Sequence, residues 1–128
     1  MKTTQISIVI LGRDAHLLET RKWVLQSLGY RVLTIHRIAD LNQIPSTPPV
    51  ALLVLCHTLS TKECESAVAR ASSRWPEIKK LVLVRDNSKT AAQVLGQVRH
   101  TLDLPMRLMS TVSELVGYAG SSSYSHTY

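Results

Sequence analysis

Ile6-Ser7-Ile8-Val9-Ile10-Leu11-Gly12 and, further on, Leu28-Gly29-Tyr30-Arg31-Val32-Leu33-Thr34-Ile35 set the architecture of this chain. The first is a short β-branched run closed by glycine, the form of a buried strand. After Asp14, a helical stripe carries Leu17, Leu18, Arg21, Val24, Leu25 and Leu28. Gly29 stands where a helix wants a left-handed residue to end on. Arg31 to Ile35 then reads as a second strand, so strand, helix and strand form one parallel unit.

The same rhythm repeats along the rest of the chain. A weak helical turn spans Ala39 to Gln43, and Ile44-Pro45-Ser46-Thr47-Pro48-Pro49 is loop, because proline blocks both ladder and helix. Val50 to Leu55 is a third strand. Ser60-Thr61-Lys62-Glu63 fits a capping box, opening a helix with Cys64, Ala67, Val68, Ala71 and Trp75 on one face. That helix ends before Pro76. Lys80 to Val84 is a fourth strand. Asn87 and Ser88 cap a helix whose stripe is Ala91, Val94, Leu95, Val98 and Leu102. Asp103-Leu104-Pro105 turns the chain, Met106 to Met109 reads as a short fifth strand, and Thr111-Val112-Ser113-Glu114 is a second capping box before a last short helix.

Alternating strands and helices imply a parallel sheet with helices on both faces. Strands one, three and four are nearly continuous apolar runs, as burial on both sides requires. Strands two and five carry Arg31, Thr34 and Arg107, which suits sheet edges. The expected fold is therefore a doubly wound five-stranded α/β sheet of order 2-1-3-4-5. Residues 1–119 form one domain, and 120–128 read as a disordered tail.

Composition narrows the function. The chain has 128 residues, 45% hydrophobic and 19% charged, the balance of a globular domain. No apolar run reaches the ~20 residues that span a bilayer, and the first apolar block is too short for a signal-peptide core. Two cysteines are too few for a disulfide scaffold or a cysteine-only zinc site. The expected location is the cytoplasm. A net charge of +6 favours anionic partners. The basic residues are dispersed and aromatics are only 5%, so no base-stacking platform is present and nucleic acid is not the expected partner.

In sheets of this kind ligands gather at the carboxyl ends of the strands. Those ends are followed here by Gly12, Arg13 and Asp14; by His36 and Arg37; by Cys56, His57 and Thr58; by Arg85 and Asp86; and by Ser110 and Thr111. The mouth is basic.

Five βα units in this length, the turn Leu28-Gly29-Tyr30-Arg31-Val32 and the strand Leu52-Leu53-Val54-Leu55 make the chain resemble the receiver domain of two-component response regulators, a flavodoxin-like fold. The resemblance spans Gln5 to Tyr118. It implies a signalling module rather than an enzyme, with an acidic pair after strand one for a magnesium ion and a phosphoacceptor Asp after strand three. It further implies a Thr or Ser after strand four, a Lys after strand five and an aromatic residue within strand five. This chain departs from that pattern. Gly12 and Arg13 take the place of the acidic pair, with Asp14 one residue late. Cys56 falls on the phosphoacceptor position, Arg85 replaces the hydroxyl residue, and no Lys or aromatic lies between Met106 and Val116.

The reading that follows is a receiver-like module without phosphotransfer, needing no metal or cofactor and acting by protein contact in a signalling pathway. The resemblance implies a partner face, or a homodimer face, on helix four, strand five and helix five, where Lys89, Gln93, Gln97, His100 and Arg107 lie. The alternative is an anion- or nucleotide-binding or redox-sensing protein that uses Gly12, Arg13, Asp14, Cys56, His57 and Arg85, with Arg13 or Arg85 lowering the pKa of the Cys56 thiol. Against each sharp reading stands a plain one. Cys56 is expected to be a small buried thiol, since neighbours at a strand end point opposite ways and His57 cannot readily serve it. The arginines are expected to pair with Asp14, Asp86 or water. Cys64, Trp23 and Trp75 are expected to pack, and no disulfide is expected between the cysteines. The histidines lack metal-ligand spacing.

Overall fold

The structure is a computed structural model, which describes residues 6–45, 48–85 and 99–117. Its strands are β1 (Ser7–Leu11), β2 (Arg31–Ile35), β3 (Leu52–Leu55), β4 (Lys79–Val84) and β5 (Arg99–Leu102). Its α-helices are α1 (Ala15–Gln26), α2 (Thr61–Arg74) and α3 (Pro105–Val116), with a 3-10 segment over Ile38–Gln43. The strands form one sheet in the order β2-β1-β3-β4-β5, every pairing parallel. The expected parallel architecture and strand order are observed.

Strand periodicity divides the core in two. Val9, Leu11, Leu53, Leu55, Val82 and Val84 face α2, meeting Cys64, Ala67, Ala71 and Trp75. Ile8, Ile10, Leu52, Val54, Leu81 and Leu83 face the other way, meeting Leu18 and Leu25 of α1 and Leu108 and Val112 of α3. β1 and β3 are buried along their whole length, which explains why their sequences show no polar alternation. Local signals hold where chemistry fixes them. Asp14 caps α1 by accepting from the amides of His16 and Leu17. Gly29 follows it at φ +95°, and Ser60 with Glu63 completes the capping box of α2.

The C-terminal third corrects the sequence reading. The fifth strand is Arg99–Leu102, whereas Met106 to Met109 lie inside α3. Pro105 occupies the first turn of α3, where its fixed φ favours a helix start and its missing N–H costs nothing. Leu108 and Val112, four residues apart, then bury one face. The expected second capping box at Thr111–Glu114 is mid-helix: Thr111 is buried, and Glu114 pairs with Arg99. Arg107 therefore sits exposed on α3, not on an edge strand, and the edge is formed by the strand holding Arg99 and His100. The expected helix after Ser88 and the expected tail at 120–128 lie outside the described residues, except that Leu102 belongs to β5.

Candidate functional site

Because all strands are parallel, the segments after β1, β3, β4 and β5 meet at one end of the sheet. Gly12 follows β1, and its amide donates to the carbonyl of Ile35 at 3.2 Å. Cys56 follows β3, and its amide donates to the carbonyl of Leu11 at 3.0 Å. These two residues pack against each other. A Cβ placed on Gly12 would lie 3.0 Å from both Cβ and Sγ of Cys56 and 3.3 Å from Leu18 Cδ2. Glycine thus permits a close approach here, rather than serving an unusual backbone angle. The thiol fills the space between β1, β3 and α1.

Burial pushes the Cys56 thiol up to about 12 from an ordinary value of 9.0; the Arg21 guanidinium opposes this and Asp103 adds to it. Nothing in this environment supports a thiol activated by Arg13 or Arg85. The cation that acts on it is Arg21, and desolvation outweighs that cation. Cys64 is also buried, and desolvation raises it to about 11 with help from Glu65. The two thiols are free and belong to the two opposite core faces.

Arg13, Asp14 and His57 of the mouth have structural partners. Arg13 lies at the surface and its guanidinium pairs with Glu63, with Nε 3.3 Å from Oε1, while its amide donates to Thr58 Oγ1 at 3.1 Å. Asp14 is not the partner of Arg13 and spends Oδ1 on the α1 amides, while Asp86 lies outside the described residues. Arg37 approaches Asp40 at 3.9 Å, and Arg85 is exposed. His57 lies 3.3 Å from Asp103 Oδ2 through Nε2, turned to a carboxylate rather than to the neighbouring thiol.

Three participants were missed by sequence reasoning: Arg21, Asp103 and Glu63. Arg21 is only 7% exposed and forms an ion pair with Asp103, both side chains being more than nine-tenths buried. Arg21 Nη1 also donates to the carbonyl of Leu17 at 2.9 Å. Its signal was an arginine on the apolar stripe of α1, which demands a buried acceptor. Nothing near it in sequence names Asp103, which is 82 residues away. Glu63 announced its cap but not its second duty toward Arg13.

Of the expected partner face, His100 on β5 and Arg107 on α3 are exposed, whereas Lys89, Gln93 and Gln97 lie outside the described residues. Leu104 at 53% and Met106 at 77% exposure stand beside them. Trp75 packs in the core as expected, but Trp23 is 71% exposed on α1, contrary to expectation. A cavity of about 550 Å³ lies at the opposite end of the sheet, between Val50, Trp75, Lys79 and Val116, away from the mouth. Among the described residues, no three His, Cys, Asp or Glu side chains converge as a metal site, and no helix is long and apolar enough to cross a membrane.

No protein-family profile and no curated protein sequence matches the chain. Solved structures do. The chemotaxis response regulator CheY4 of Vibrio cholerae superimposes with a TM-score of 0.72 at 14% identity, over 88% of this chain and 100% of that one. The signal receiver domain of an HD domain-containing protein from Pseudomonas fluorescens gives 0.73 at 14% identity, over 88% and 94%. A CheY-like receiver domain protein from Methanospirillum hungatei gives 0.71 at 18% identity, over 87% and 93%. At such identities the likeness is one of architecture, and the chain has the fold of the response-regulator receiver domains.

Proposed function

We propose that the chain is a receiver-like signalling module that has given up phosphotransfer and acts by protein contact. The observation that carries this reading is the packing of Cys56 against Gly12 at the mouth of the sheet. Receiver chemistry, as the resemblance implies, places a phosphoacceptor carboxylate at the first of these positions and a metal-binding acid near the second. Magnesium requires hard oxygen ligands, usually including a carboxylate. Asp14 is engaged as a helix cap and Asp103 by Arg21 and His57, so the residues here do not fit that ion. The corrected strand five strengthens the case: Asp103 and Leu104 follow it, and neither supplies the cation that phosphoryl transfer needs.

The contact surface in this reading is the β5–α3 side of the molecule. It combines exposed Leu104 and Met106 with His100 and Arg107. Apolar anchors beside the Arg107 guanidinium suit a protein partner whose contact surface is apolar and acidic, and the chain's +6 charge would steer the encounter. The alternative anion-binding or redox reading has less to support it, because Arg13 is paired with Glu63 and the Cys56 thiol is buried and protonated at neutral pH. The test is affinity capture from the native cell with the wild type and with a Met106→Glu/Arg107→Glu variant. The proposal expects a protein retained by the first and lost from the second; retention indifferent to both substitutions would refute this surface.

A further inference from the structure

We propose that Arg21, Asp103 and His57 form a latch that joins α1, the end of β5 and the segment after β3, holding the mouth shut over Cys56. Two distant stretches of chain converge on a carboxylate oxygen of a third. Asp103 Oδ2 receives Arg21 Nη2 and lies 3.3 Å from His57 Nε2. Arg21 is anchored on its own helix through Leu17, and Asp103 is anchored to β4 through its amide, which donates to the carbonyl of Val84 at 2.8 Å. His57 directly follows Cys56, and Leu18, one turn before Arg21 on α1, closes on the same Gly12–Cys56 contact, so the latch stands beside the thiol.

Burial makes the latch two-state. Arg21 and Asp103 are 9% and 8% exposed at their side chains, and leaving either buried without its partner is costly. Opening must therefore release both to water together, as one discrete rearrangement. His57, 21% exposed at its side chain, is the member that solvent or a partner reaches first. Leu104 and Met106 follow Asp103 directly, so the state of the latch also sets how that exposed pair is presented. The inference rests on this geometry alone and stands or falls separately from the proposed function.

The two cysteines supply a test with an internal control, because Cys56 and Cys64 are buried on opposite core faces. The whole chain is treated with iodoacetamide under native conditions, and modification of each thiol is followed by mass spectrometry. Removing the Arg21 cation by Arg21→Met withdraws a charge that favours the Cys56 thiolate, so the field alone would slow the reaction. An opened latch instead speeds it, by about tenfold or more, with Cys64 unchanged. Unchanged or slower Cys56 modification would overturn the latch. Should Arg21→Met loosen the whole fold, both thiols accelerate together; the milder His57→Gln variant must then still accelerate Cys56 selectively, and failure to do so overturns the proposal.

Discussion

Two arginines serve the same end of the sheet in opposite ways. Arg13, immediately after β1, lies at the surface and reaches Glu63 across the loop. Arg21, two turns into α1, is buried and paired with Asp103. The pairs are alike in chemistry and differ in solvent. Water screens the first and offers either partner a substitute, whereas the second has exchanged its hydration for a single arrangement. The mouth is basic in composition, but its structural weight falls on the arginine that the loop sequences do not reveal.

The largest effect should come from splitting the buried pair. Asp103→Ala strands the Arg21 guanidinium and should cost about 3–5 kcal/mol in urea unfolding. An Arg21→Met/Asp103→Leu variant, which removes both charges, should recover most of that loss. If it does not, the pair is not the cause. Next is Gly12→Ala, which drives a methyl group against Cys56 and Leu18 and should cost about 1–3 kcal/mol. The buried thiol sharpens the contrast through pH. The folded-state pKa of Cys56 is raised to about 12 from 9.0, so its protonated form is favoured by folding. That contribution is complete below pH 9 and is lost as pH rises toward 12, because the unfolded chain ionises first. Unfolding midpoints measured at pH 8 and pH 10 should therefore separate more for the wild type than for Cys56→Ala. The smallest effect belongs to the exposed pair: Arg13→Ala should change stability by less than about 0.5 kcal/mol, and less still in high salt.

The sequence spelled out the sheet better than its last edge. β1 and β3 could be read because burial on both faces leaves an unbroken apolar run with nothing helical in its spacing. Near residue 100 the signals conflicted. Leu102 continues a helical spacing from Val98, and the polar Arg-His-Thr run of β5 lacks the apolar pattern of a strand, because this edge is half exposed. Met106 to Met109 reads as extended only because a short apolar run fits either element, and Pro105 suits a turn as well as the start of a helix. At the mouth, Gly12 and Cys56 were legible as neighbours because strand order alone places them side by side. The Arg21–Asp103 pair was not, since a contact between a helix interior and a distant turn leaves no periodicity to find.

That a thiol, and not an acidic pocket, occupies the mouth is tested by weighing the intact chain after incubation with Mg2+ and acetyl phosphate. An unchanged mass is predicted; a stable increment of one phosphoryl group, mapped to any residue at the carboxyl ends of the strands, would contradict it.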